Sequence, residues 1–114
     1  MCGMMKGTML HVIVTMNIKP GRLDDFLALA RQLAPLVHAE QGCIRYDYTL
    51  DTASPLSIQG EIDDHRVTLI EQWESPAALA AHLQAPHMKQ YGPAMGALRT
   101  GEVSARVTRP IDGV

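Results

Sequence analysis

The side chains best suited to chemistry are few, and they stand where apolar residues are expected. Glu71 falls in the alternation Val67, Leu69, Glu71, Trp73, so its carboxylate shares a strand face with three apolar side chains. A carboxylate there either meets a partner, an arginine at a strand edge being the simplest, or has a raised pKa. His82 stands with Leu79 and Leu83 at helical spacing, on or beside a buried stripe. As a satisfied core group it would be silent; in an apolar cavity its readiness to take a proton near neutral pH suits a general base. Trp73, the one tryptophan, either fills the core or walls an apolar ligand pocket. Tyr46 and Tyr48 share a strand face and could supply hydroxyl donors, although packing also accounts for them. His87 reads as a solvated turn residue, and His65 lies in a stretch of unassigned conformation.

Other chemistries lack their residues. No GxGxxG occurs to cradle a nicotinamide or flavin nucleotide, and no serine sits in a nucleophile elbow. His82 and His87 are five apart across Pro86, which is not the same-face pair of a metal-binding helix. Neither a metal nor an organic cofactor is therefore expected. Cys2 and Cys43 are widely separated with no CxxC spacing, as suits a reducing, cytoplasmic setting. A formal charge of -2 without any Lys/Arg run argues against nucleic acid. No apolar run approaches the ~20 residues of a bilayer span.

The elements that must position these groups follow from periodicity. The length, 114 residues, suits one domain, read here as 9–110 after a disordered leader at 1–8. Leu10 to Ile18 alternates as a half-buried strand, and Lys19-Pro20-Gly21 breaks it. Leu23, Phe26, Leu27, Ala30, Leu33, Ala34 and Val37 form a helical stripe, which Pro35 should kink or shorten and Gly42 should end. A second strand spans Cys43 to Asp51, with Ile44, Tyr46, Tyr48 and Leu50 on one face. Residues 56–66 fit a hairpin arm or a mobile loop equally well. A third strand covers Val67 to Glu74. Ser75-Pro76 starts a second helix, running from Ala77 to Ala85, and short turns interrupted by Gly92-Pro93 lead to a last strand, Glu102 to Arg109. This order describes an α+β, ferredoxin-like antiparallel sheet with helices on one face. Ile13 and Ile70 would lie exposed on the other face, and a second copy of the sheet would cover them in a homodimer.

Taken in order, Lys19-Pro20-Gly21, Phe26, Glu40-Gln41-Gly42-Cys43-Ile44-Arg45-Tyr46, Glu71-Gln72-Trp73-Glu74, Ala81-His82-Leu83 and His87 resemble the antibiotic biosynthesis monooxygenase family. The likeness covers about Met9 to Pro110. It implies a dimeric α/β barrel and, as in some members, oxidation of a small electron-rich aromatic (a quinol or polycyclic phenol) by O2 without cofactor. Isomerases and haem-degrading enzymes share the fold, and a binding protein without turnover could use the same pocket. Asn17 stands too late on its strand for the asparagine of the haem-degrading branch. In such a pocket His82, beside apolar Leu79 and Leu83, is the expected general base, and Glu71 is expected to orient its imidazole or the substrate hydroxyl. Trp73 stacks on the substrate, and Tyr46, Tyr48 and His87 complete the binding set. The 56–66 stretch exceeds the family's usual hairpin and could reach a partner subunit or cover a pocket.

Overall fold

The computed structural model describes residues 9–114, so the leader expected over 1–8 lies outside the described residues. The order is β1 (Leu10–Ile18), α1 (Leu23–His38), β2 (Cys43–Leu50), β3 (Arg66–Trp73), α2 (Pro76–Leu83), α3 (Pro86–Gly96) and β4 (Arg99–Thr108). The strands form one antiparallel sheet ordered β2-β3-β1-β4. The fold is the expected ferredoxin-like α+β arrangement. The sheet of this chain is open, with edges at β2 and β4, and is not by itself a closed barrel.

Strand alternation sets the core. Val12, Met16 and Ile18 of β1 and Val67, Leu69 and Trp73 of β3 are buried on the helix side. They meet Phe26, Ala30, Leu33 and Val37, which recur along α1 at helical spacing. Ile13 pairs with Ile70 on the opposite face, where both are half-buried.

Both internal prolines are tolerated. Helix α1 continues through Pro35 to His38, because a proline in the last turn removes a single intrahelical bond. The Ala39 N–H still donates to the Pro35 carbonyl at 3.2 Å. Helix α3 likewise runs unbroken through Gly92-Pro93, where an interruption was expected.

Two bulges correct the strand readings. Cys43 pairs with Trp73 but Arg45 with Gln72, so Ile44 is the extra residue of a bulge. It is thrown out of the expected face and lies half exposed, while Tyr46 and Tyr48 keep to the helix side. In β4, Ser104 pairs with Thr15 and Thr100 with Asn17, and Gly101 adopts a φ of +72° between them. The strand therefore starts at Arg99, not Glu102.

Residues 51–65 make no strand and instead form an irregular connection. The Asp51 carboxylate accepts from Arg66 at 2.6 Å and from the Asp63 N–H at 2.9 Å. Gln59 donates to the Thr52 carbonyl at 2.7 Å. Bonding to Arg66 comes first among the causes that hold the Asp51 pKa below the usual carboxylate range.

Candidate active site

Between the sheet and the helices lies an apolar cavity of about 400 Å³. Val12, Val14, Met16 and Leu69 line it from the sheet, Leu79 and Leu83 from α2, and Met88 and Met95 from α3. The polar or charged side chains reaching it are Tyr46, Tyr48, Glu71, His82 and Arg99. Residues 51–65 do not line this cavity.

His82 is set by the start of its helix. The Ser75 hydroxyl accepts the Ala78 N–H at 3.1 Å and Pro76 occupies the first turn, which puts His82 in the last turn of α2, facing the sheet. It is buried, with its ring tilted over Trp73 at a centroid distance of 4.6 Å and edge-on to Tyr46 at 5.6 Å. Its Nδ1 lies 2.9 Å from Glu40 Oε2, and His87 Nε2 lies 2.6 Å from the same oxygen. A carboxylate oxygen can only accept, so both nitrogens carry their protons. The His82 tautomer that results leaves Nε2 with its lone pair, on a ring that lines the cavity.

Glu40 reaches this place through a tight turn. Its N–H donates to the Val37 carbonyl at 2.9 Å, and its carbonyl accepts the Cys43 N–H at 3.2 Å. Gly42 has a φ of +85°, and a Cβ there would stand 2.6 Å from Ala78 Cβ. The Gly42 carbonyl accepts the Glu74 N–H at 2.9 Å. The exit of α1 is thus pressed against the entrance of α2, which carries His82.

Glu71 is not paired with an arginine. Its Oε1 accepts the Trp73 indole N–H at 2.8 Å, deep in the core. Burial pushes its pKa up, while the indole bond pulls it partly back. The hydroxyls of Tyr46 and Tyr48 share a hydrogen bond of 2.9 Å. Burial raises both phenol pKa values. For Tyr46 the neighbouring Tyr48 and two carboxylates add to the rise; for Tyr48 the bond to Tyr46 and the Arg99 charge oppose it.

Of the residues singled out in the sequence, His82, Glu71, Tyr46 and Tyr48 meet at the cavity. Trp73 and His87 do not line it. Trp73 is fully buried beneath the His82 ring, so it cannot stack on a ligand there. His87 turns to Glu40 instead of solvent, with a side chain 18% exposed. Glu71 does not orient the imidazole; Glu40 does. Glu40 and Arg99 escaped the sequence reading. Glu40 stood within the family-like string Glu40 to Tyr46 without a role, and Arg99 was placed ahead of its strand. Among the described residues no group of three or more His, Cys, Asp or Glu is disposed to hold a metal ion. No described helix is long and apolar enough to cross a membrane.

The site thus joins a ferredoxin-like sheet, a partly open apolar cavity and a carboxylate-held imidazole at the cavity wall. The chain belongs to the antibiotic biosynthesis monooxygenase family, whose profile matches residues 9–93. It is 41% identical over 93 residues to the Escherichia coli (strain K12) protein described as "Probable quinol monooxygenase YgiN", over 76% of this chain and 85% of that one. Rv0793 from Mycobacterium tuberculosis superposes with a TM-score of 0.77 at 27% identity, over 92% of this chain and 97% of that one. PA3566 from Pseudomonas aeruginosa gives a TM-score of 0.76 at 27% identity, over 93% and 97%.

Proposed function

We propose that this member of the family is a cofactor-independent monooxygenase that oxidises a small electron-rich aromatic, a quinol or polycyclic phenol, with O2. The observation that carries the reading is the Glu40–His82 pair, which leaves Nε2 as the proton acceptor of an apolar cavity. Ground-state dioxygen accepts electrons singly, so the protein's task is to make the substrate a better donor. Removal of a phenolic proton by His82 Nε2 does that. Electron transfer to O2 and radical recombination give a carbon-bound hydroperoxide, and loss of water leaves a carbonyl. For a methylene substrate such as an anthrone the balance is R2CH2 + O2 → R2C=O + H2O. The dry walls strengthen the electrostatic interactions around the developing anion. Glu71 and the paired tyrosines offer hydrogen-bonding groups to the ring oxygens. The name borne by the Escherichia coli relative points the same way.

The working unit is a homodimer in this reading, with the Ile13–Ile70 face of one sheet covered by that of a second copy. A monomer by light scattering at micromolar concentration overturns that part. An oxygen electrode with dihydroxynaphthalenes and hydroxyanthrones tests the chemistry. His82→Ala should lower kcat by about 10²–10⁴ with the dimer intact. Full turnover by His82→Ala with an unchanged pH profile would reduce His82 to a packing residue.

A further inference from the structure

Arg99 has no part in the proton transfer, yet its side chain lines the cavity. The geometry points to an acidic substrate: we infer that the aromatic bound here carries an anionic substituent, a carboxylate in the simplest case, and that Arg99 pairs with it. This rests on the reading of the cavity as the seat of a phenolic substrate. It adds what the cavity selects.

Three observations carry it. First, the β4 backbone delivers the side chain: the bulge at Gly101 shifts the pairing so that Arg99 lies opposite Ile18, a buried residue of the helix face. Second, the Arg99 terminal nitrogen lies against Gly96 of α3, 3.2 Å from where a Cβ there would stand. Third, the cation has no carboxylate partner among the described residues. Arg22, Arg45 and Arg66 each hold an aspartate, Asp25, Asp47 and Asp51. No carboxylate among the described residues lies within ion-pair distance of Arg99. Arg99 is half-buried beside the apolar cavity, and its planar guanidinium can give two N–H groups to an anion there, displacing only water.

Calorimetric titration of the full chain with 6-hydroxy-2-naphthoate and with 2-naphthol tests this. The naphthoate should bind about 10- to 100-fold more tightly, the range of a charge-assisted hydrogen-bonded pair. Arg99→Gln should abolish that preference by weakening the naphthoate about 10- to 100-fold more than 2-naphthol, and Arg99→Lys should restore part of it. Equal affinities in the unmodified chain, an equal loss of both ligands in Arg99→Gln, or no binding of either at millimolar concentration would each overturn the inference. The oxygenase reading fails separately. A naphthoate preference lost in Arg99→Gln, with no oxygen uptake on dihydroxynaphthoates, leaves the Arg99 assignment standing and removes the oxygenase. Oxygen uptake with no charge preference does the reverse.

Discussion

Substituting Glu40 separates what its charge does from what its shape does. Both imidazoles converge on one oxygen, 2.9 Å from His82 Nδ1 and 2.6 Å from His87 Nε2. Glu40→Gln can set its amide carbonyl at that point and keep both N–H groups satisfied. It forfeits only the charge-assisted share: a hydrogen bond to a charged group contributes about 1.5–3 kcal/mol and a neutral one about 0.5–1.5. The His87 side chain is 18% exposed and recovers part of its loss from water. The expected cost for Glu40→Gln is thus about 1–2 kcal/mol. Glu40→Ala leaves the buried His82 Nδ1–H without an acceptor and forfeits the His87 bond, for about 2–4 kcal/mol. Urea unfolding of the two variants at neutral pH reads the difference. Turnover should follow the same order, since the carbonyl of Gln preserves the tautomer and Ala frees the ring. Losses of about 10- to 100-fold for Gln and up to ~10⁴ for Ala are expected. Nitrogen-15 spectra of the imidazoles give a readout independent of any substrate. A His82 ring protonated at Nε2 and bare at Nδ1, or a Glu40→Ala variant with unaltered urea midpoint, would refute the reasoning.

Three further substitutions probe the frame. Trp73→Phe removes the indole donor from Glu71 and the platform under His82 without touching the cavity wall. It should cost about 1–3 kcal/mol in urea unfolding and lower kcat more than it raises KM; the opposite split would return Trp73 to the cavity wall. Gly42→Ala combines a left-handed backbone, which costs an alanine about 1–2 kcal/mol, with a 2.6 Å approach to Ala78. It should destabilise the fold by more than 1–2 kcal/mol and disturb His82; an unchanged melting temperature contradicts the packing described. Glu71→Gln tests the raised carboxyl pKa. A folded pKa above the unfolded value means stability is lost as pH rises from about 4 through the folded value. The Gln variant should therefore gain on the parent between acid and neutral pH, and a pH-independent difference in urea midpoints would speak against it.

What could be read from the sequence divides along one physical line. The strand of Leu10 to Ile18, the strand of Val67 to Trp73 and the stripe of Phe26, Ala30, Leu33 and Val37 each bury one face, and a buried face writes its period into the chain. Departures from the period hid the rest. The extra residue Ile44 and the bulge at Gly101 break alternation without a consistent residue signature, so a face was misassigned and Arg99 was left outside its strand. Pro35 and Pro93 carry strong local signals that tertiary packing overrode in final helical turns. Parity gave the side of the sheet for Trp73 but not its depth, which depends on α2 closing over the end of β3. Glu40 is the instructive miss. Its partner His82 is 42 residues away, and nothing local marks a charged residue after a helix as other than solvated.

The burial of the lone indole also has an optical consequence. With Glu71 on its nitrogen and the His82 ring over its face, the chain's whole tryptophan emission arises from a shielded chromophore touching the proposed base. An imidazolium quenches indole fluorescence more strongly than a neutral imidazole. The protein thus carries a native spectroscopic reporter of the charge on His82, readable without label or substrate. A ligand entering the cavity would shift that emission through the histidine, without contact between ligand and indole.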